Sequence, residues 1–378
     1  MNKILVSGGA GFIGTHLCRT LVDCGWEVTV LDNLNPQIHG PRAVPNLPKS
    51  VRFIDGDVCC TADVAKALYG QEVVVHLAAE TGTGQSMYEL LRYEHVNMRG
   101  AAVVMHQIAQ MRPSRVQKVV VASSRSVYGE GSYWCDEHGV VYPRAREASE
   151  MALRHFECRC PVCGEFCRSI PTTENCPFNP SSYYGITKQA QEQTVLLMAN
   201  VLGISGYGLR YQNVYGPGQS LKNPYTGILA VFTNLARAGQ KITLFEDGLE
   251  SRDFVYVQDV VDATLLCIND RAERIDRFNV GGGERVTVSD VADAVVDYFA
   301  SDSPIEVSGE FRLGDIRHNL ADLSYIRGEL NYLPKWRFAD GVVEFLNWAS
   351  LHEPADFGFS RSLEELKARG LLVNASLK

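Results

Sequence analysis

The chain of 378 residues is 46% hydrophobic, enough to bury a large core, and its length admits one large domain or two. Thirty-six basic against 44 acidic residues give a net charge of -8, which excludes any general electrostatic attraction to nucleic acid or to an anionic membrane. Met1-Asn2-Lys3 leads directly into an apolar strand without the pattern of a secretory leader, and no apolar run is long enough to span a bilayer, so a cytoplasmic globular protein is expected.

Lys3 to Ser7 reads as a buried strand, followed by Gly8-Gly9-Ala10-Gly11-Phe12-Ile13-Gly14 and an amphipathic helix ending near Cys24-Gly25. A glycine turn between strand and helix lets backbone and helix amino terminus approach a pyrophosphate, whose charge the first N–H groups favour. Gly8, Gly11, Phe12, Ile13 and Gly14 are therefore expected at a dinucleotide. Their spacing is Gly-x-x-Gly-x-x-Gly, a departure from the general Gly-x-Gly-x-x-Gly fingerprint. A second strand, Glu27 to Leu31, ends in Asp32, 18 residues beyond Gly14. A carboxylate there meets the adenosine ribose hydroxyls and repels a 2′-phosphate, which favours NAD over NADP, with Asn33 beside it.

Residues 35–50 hold four prolines and a glycine and read as a surface loop. Arg52 to Asp55 is the third predicted strand, with Asp57 and Val58 placed to reach the adenine. Val73 to Ala78 is the fourth; Leu77, Ala78 and Ala79 at its end are small or apolar enough for a cofactor to lie close. Gly82 and Ser86 in the following loop are expected at the substrate. Tyr88 to Met111 reads as one helix with Asn97 in its interior, also assigned to the cofactor. Lys118 to Ala122 is the fifth strand and ends in Ser123-Ser124-Arg125-Ser126-Val127-Tyr128-Gly129, a polar cluster where open α/β sheets build their sites. Farther on, Ser181-Ser182-Tyr183-Tyr184-Gly185-Ile186-Thr187-Lys188 puts Tyr184 and Lys188 four residues apart on one helical face. An ammonium in that position lowers the phenol's pKa, and such a phenol can take a proton from a sugar hydroxyl.

Glycine turn, Asp32, a serine at a strand end and Tyr-x-x-x-Lys, in that order, resemble the extended short-chain dehydrogenases/reductases of the nucleotide-sugar epimerase and dehydratase group. The likeness covers about residues 1 to 350 and includes Arg210-Tyr211-Gln212-Asn213-Val214-Tyr215-Gly216-Pro217, Arg252-Asp253-Phe254, Asn279-Val280-Gly281 and Arg312-Leu313-Gly314-Asp315. It implies a Rossmann-type doubly wound parallel sheet at 1–205 and a smaller α/β substrate lobe at 206–352, some of whose segments return to the sheet. Residues 353–378 are left as a tail carrying a last surface helix at Glu364 to Gly370. The resemblance further implies that Ser124, Tyr184 and Lys188 are catalytic and that Tyr184 and Lys188 also touch NAD. Arg125, Asn213, Arg252, Arg312 and Asp315 then face the nucleotide-sugar. Asn223-Pro224-Tyr225 and Leu244-Phe245 resemble lid segments around the base, and a homodimer pairs the Tyr184 helix with the helix near Asn97.

The reaction this implies is a 4-epimerisation: transient oxidation at C4 of a nucleotide-sugar, turning of the keto sugar, and return of the hydride to its other face. Dehydratases of the group carry an Asp-Glu pair where this chain has Arg125-Ser126, and the sugar-acid decarboxylases carry Glu where it has Ser126. The Ser-Ser-Arg-Ser-Val-Tyr-Gly run and a cysteine-rich insertion are most similar to enzymes of dTDP-6-deoxy sugars such as dTDP-L-rhamnose. UDP-glucose/UDP-galactose is the alternative substrate pair.

That insertion occupies about residues 135–180. Cys158, Cys160, Cys163, Cys167 and Cys176 crowd into it, while Cys18, Cys24, Cys59, Cys60, Cys135 and Cys267 are scattered and read as ordinary core or surface residues. Cys160-Pro161-Val162-Cys163-Gly164 has the form of a zinc knuckle. Cys167 and Cys176 are the expected remaining ligands of a structural zinc, with Cys158 as an alternative.

Overall fold

The computed structural model describes residues 2–40, 43–111, 114–223, 225, 227–353 and 358–375. Strand β1 (Lys3–Ser7) leads through the glycine turn into helix α1 (Phe12–Asp23), then to β2 (Glu27–Asp32) and β3 (Arg52–Asp55). Helix α2 (Thr61–Leu68), β4 (Val73–His76), α3 (Gly100–Gln110) and β5 (Lys118–Ser124) follow. A hairpin of β6 (Tyr133–Cys135) and β7 (Gly139–Val141) opens the insertion, which ends at α4 (Tyr183–Leu202). The main sheet is then completed by β8 (Ser205–Tyr211) and β9 (Ile275–Val280).

The seven main strands are all parallel, in the order β9-β8-β5-β4-β1-β2-β3. Helices cover both faces, so the central strands are apolar on both sides: Ile4, Leu5, Val6, Val74, Val75, Val119, Val120 and Val121 are wholly buried. The order reverses at β1, between β2 and β4, which opens a crevice at the carboxyl ends of the strands. β9 is a segment of 206–352 that returns to the sheet. A second apolar core, with Leu229, Phe232, Phe254 and Phe345, gathers the helices Ile228–Arg237, Val288–Phe299 and Phe338–Ser350 around the strand Ser251–Tyr256. Among the described residues, no helix is long and apolar enough to cross a membrane.

Several expected boundaries move, each for a local reason. The helix predicted over 88–111 is broken into Leu90–Tyr93, a π-turn at Glu94–Arg99, and α3. Asn97 sits in that π-turn, and its carboxamide bonds the Glu80 backbone on both sides (2.8 and 3.1 Å) and Thr187 (3.0 Å). The proline-rich loop holds a short helix, Pro36–His39, because Asn35 caps it. Pro224, in the lid-like segment Asn223-Pro224-Tyr225, lies outside the described residues.

The tail is not a detached appendage. Its helix, Phe359–Ala368, places Glu365 against the Tyr88 and Tyr225 hydroxyls at 3.2 and 3.0 Å. Its strand, Leu372–Val373, pairs antiparallel with Phe311–Arg312.

Candidate active site

The glycine turn fits a dinucleotide on its own geometry. Gly8 has φ +72°, and a side chain there would strike Ala78 backbone atoms at 2.6 and 2.8 Å, so the turn is pressed against the end of β4. Gly14 packs on Gly8 and Gly9, closing α1 onto the turn. A β-carbon at Gly11, by contrast, would meet only one carbonyl, at 3.3 Å, which leaves its outer side open. Gly11 is also the N-cap of α1 and makes no side-chain cap, so the N–H groups of Phe12 and Ile13 head the helix without a side-chain acceptor. Asp32 stands at the end of β2; its two oxygens accept from Ala10 N–H (3.0 Å) and Leu34 N–H (2.9 Å). Asn33 donates to Asp57 at 3.4 Å, and Val58 is buried beside Gly100. Asn97, assigned to the cofactor from sequence, is fully buried with its carboxamide engaged by Glu80 and Thr187, so it positions the loop after β4.

Ser124 ends β5 and caps the short turn Arg125–Tyr128. Its Oγ accepts from Ser126 N–H (3.2 Å) and Ser126 Oγ–H (2.8 Å), which directs its own proton towards Tyr184. Ser182 caps α4 and starts the helix beside this turn. Contact there is close because residue 185 is glycine: a β-carbon would lie 2.5 Å from Ser126 O and 2.8 Å from a Pro180 carbon. Tyr184 is thereby brought to Ser124, and its N–H is held by Ser86 Oγ at 3.0 Å. Ser86 also donates to Thr83 O, so, like Gly82 against Tyr93 and Tyr225, it shapes the loop. Gly185→Ala is expected to cost about 1–3 kcal/mol by overpacking and to lower turnover by shifting Tyr184. Thermal unfolding and kcat measured together check this; wild-type values for both would show that the helix does not seat there.

Burial raises the Tyr184 phenol, while its hydrogen bond to Ser124 and the charge of Arg125 pull it down. Lys188 is itself buried, which lowers its pKa to about 7 against the favourable charge of Glu192. Its ammonium donates to Ala122 O at 2.5 Å and to Gln191 Oε1. Because an ammonium only donates, the Gln191 oxygen must face it, and the amide nitrogen therefore donates to His76 Nε2 at 3.0 Å. Burial, then Lys188, lowers His76 to about 3, so the ring is neutral and its Nδ1–H donates to Ser7 Oγ at 2.7 Å. This chain from Ser7 to Lys188 was not anticipated; buried glutamine and histidine carry no sequence signature.

Cations line the far side. Arg125 Nε donates to Asn213 Oδ1 at 3.1 Å. Burial, then repulsion from Arg252, lowers Arg125 to about 10, while Asp315 and Tyr184 act the other way. Arg252 pairs with Asp315 at 2.9 Å. Against burial, the charges of Arg252, Arg312 and Arg125 hold the Asp315 carboxyl at about 2. Arg312 lies over the Phe245 ring at 4.5 Å, and its buried Nε has no partner. Three guanidinium groups, Arg125, Arg252 and Arg312, outnumber the neighbouring carboxyls of Asp315 and Glu250, and with a donor left over they suit an anionic ligand.

The expected zinc ligands separate. Cys160 and Cys163 stay together, joined by Cys135 and His138, all four donor atoms lying within 4.8 Å of one another. Cys167 packs against Cys135 and Cys160. Cys176 does not belong to the group: it sits in another cluster with Val127 and Tyr128 and is directed at Pro177 O. Cys158 faces Glu130 and Tyr133. Cys135 is thus not a scattered core residue, and Cys135-Asp136-Glu137-His138-Gly139, which repeats the spacing of 160–164, is the signal that would have found it.

A family model described as NAD dependent epimerase/dehydratase family matches residues 4–281. The chain is 38% identical over 356 residues to a dTDP-L-rhamnose 4-epimerase of Burkholderia thailandensis, covering 92% of this chain and 94% of that one. It is 30% identical over 350 residues to a UDP-glucose 4-epimerase of Mycolicibacterium smegmatis, covering 90% and 96%. Its fold is similar to a UDP-glucose 4-epimerase of Thermotoga maritima solved with UDP-glucose (TM-score 0.75, 27% identity, covering 93% and 100%). It also matches a Thermus thermophilus UDP-glucose 4-epimerase in complex with NAD (TM-score 0.72, 27% identity, covering 92% and 98%). With these matches running across the sheet, the glycine turn and the Ser124–Tyr184 pair, the chain belongs to the NAD-dependent epimerase/dehydratase family.

Proposed function

We propose that this protein is a nucleotide-sugar 4-epimerase acting on a dTDP-6-deoxy sugar such as dTDP-L-rhamnose. The observation that carries the reading is the convergence of Ser124 and Tyr184 at the end of β5, next to the Arg125–Asn213–Arg252–Arg312 group. NAD, when bound, would supply a reversible hydride acceptor. The glycine turn and Asp32 would hold it, and Lys188, one turn beyond Tyr184 on α4 and fixed by Ala122 and Gln191, would orient its ribose.

Tyr184 Oη takes the proton of the sugar's 4-hydroxyl as C4 is oxidised and returns it to the other face's alkoxide on reduction. Ser124 Oγ–H donates to the same oxygen throughout. Elimination of water would need a further acid and base, and position 126 offers only a hydroxyl already bonded to Ser124. The dTDP preference is supported by the 38% identical relative named for dTDP-L-rhamnose, and the UDP-glucose reading by the 30% identical one. An NMR assay of dTDP-, UDP- and GDP-sugars without added NADH should show inversion at C4, fastest with dTDP-L-rhamnose. A 4-keto-6-deoxy product would make the protein a dehydratase, and preference for UDP-glucose would transfer the assignment to the alternative.

A homodimer in cytoplasm and one structural zinc complete the reading. Ile186, Leu197 and Val201 form an exposed apolar stripe on α4, adjoining exposed Leu90 and Leu91. Light scattering is expected to give twice the chain mass, and a monomer at assay concentration would remove the dimer from the reading.

A further inference from the structure

We propose that Cys135, His138, Cys160 and Cys163 bind one zinc ion, and that this ion rather than an apolar core holds the insertion in place. The insertion presents two copies of one device. Cys135-Asp136-Glu137-His138-Gly139 and Cys160-Pro161-Val162-Cys163-Gly164 each set two donors three residues apart and follow the second with a glycine. Gly139 and Gly164 both have positive φ, +68° and +80°, the backbone geometry that turns the chain back after each second ligand. In the second copy, Gly164 N–H bonds Cys160 O at 3.0 Å, and Val162 N–H points at Cys160 Sγ at 3.4 Å. The β6–β7 hairpin carries one copy, a tight loop the other, and their donors meet.

The spacing of those donors is that of a tetrahedral ion. Zinc binds thiolate at about 2.3 Å and imidazole nitrogen at about 2.0–2.1 Å, so ligands at tetrahedral angles stand about 3.8 Å apart for two sulfurs and about 3.6 Å for sulfur and nitrogen. Cys135 Sγ and Cys163 Sγ are 3.6 Å apart, Cys135 Sγ and His138 Nδ1 3.6 Å, and Cys160 Sγ and His138 Nδ1 3.7 Å. All the cysteines are free thiols. Three sulfurs and one imidazole form a donor set that selects zinc over magnesium or calcium. Cys167 lies against Cys135 and Cys160 but is not one of the four donors that stand within 4.8 Å of one another, and it is directed at Glu165 O at 3.7 Å.

The insertion needs such a tie. Its buried apolar side chains fall into small separate clusters: Tyr133, Cys135, Val141, Cys158, Cys160 and Cys167 around the donors, Met151 and Phe156 on Phe311, and Cys176 on Val127 and Tyr128, none large enough to order a segment of this length by itself. Yet it must be ordered, because Arg146 and Glu157, both within it, reach the strand region that carries the nucleotide-facing arginines. Arg146 bonds Glu130 (3.1 Å), Glu246 (2.7 Å) and Asp315 O (3.3 Å), and Glu157 accepts from Arg317 at 2.8 Å. The ion therefore acts at a distance on the Arg252–Asp315 pair, as a support and not as a participant in the reaction.

Elemental analysis of the full-length protein, purified without chelator, tests the site. About one zinc per chain is expected, released by a strong chelator together with a lower unfolding temperature. Cys163→Ala and His138→Ala should lose the metal, while Cys167→Ala and Cys176→Ala retain it. Cobalt exchanged into the wild-type chain should give thiolate charge-transfer bands and the intense visible bands of a tetrahedral ion, which keeps the test independent of how the variants fold. Metal-free protein that takes up neither zinc nor cobalt would overturn the proposal. So would zinc lost on changing Cys167 or Cys176 but kept on changing Cys163. None of these readings depends on the epimerase activity.

Discussion

Tyr184→Phe is expected to lower kcat about 10²- to 10⁴-fold, the range assigned to a positioned general base, while leaving the fold and cofactor affinity intact. The substitution removes one oxygen and keeps the ring, which packs edge-on to Tyr93 with centroids 6.4 Å apart. The helix start is held by backbone and Ser182, neither of which involves the phenol. Binding titration with NAD and with nucleotide-sugar should therefore match the wild type, and C4 inversion followed by NMR should nearly vanish. Full activity in this variant would mean that another group takes the proton.

Arg210→Met is expected to be the most destabilising single change near the site, by about 3–5 kcal/mol, the cost of stripping one partner from a buried ion pair. Arg210 and Glu192 are each 1% exposed and joined by two hydrogen bonds, at 3.0 and 2.7 Å. Arg210 also donates to the Tyr128 hydroxyl at 2.9 Å, and Ser123 donates to the same Glu192 carboxylate. Removing the guanidinium leaves a carboxylate without its counter-charge between β5, β8 and α4. The double variant Arg210→Met/Glu192→Met should recover part of the loss, since it removes the stranded charge as well. Denaturant unfolding of the three variants is the measurement. A single-variant cost below about 1 kcal/mol would mean that the pair is solvated in solution.

The sheet was legible because parallel strands buried on both faces must be continuously apolar, as in Ile4–Val6 and Val73–Val75, with turns marked by glycine. The site was legible where chemistry depends on local spacing: the glycine turn, Asp32, and Tyr184 with Lys188. Residues that act through long-range packing were not. Asn97 lies in a π-turn that periodicity cannot show, and His76 and Gln191 meet Lys188 only after β4 and α4 are assembled. The Cys/His cluster differs from the expected cysteine set for a related reason. Counting cysteines by proximity in sequence favoured Cys167 and Cys176 over Cys135 and His138, which β6–β7 pairing carries across more than twenty residues to the knuckle.

The pairing of Leu372–Val373 with Phe311–Arg312 bears on how the protein is best handled. Arg312 holds its place over Phe245 from a two-residue strand whose partner is this late segment. A purification tag fused after Val373, or a truncation at residue 358 made to aid crystallisation, would disturb the edge of the Arg252–Arg312 cluster. The amino end of β1, on the opposite side of the parallel sheet from the ligand crevice, is the safer attachment point. Substrate constants measured on differently tagged preparations should be compared with that difference in mind.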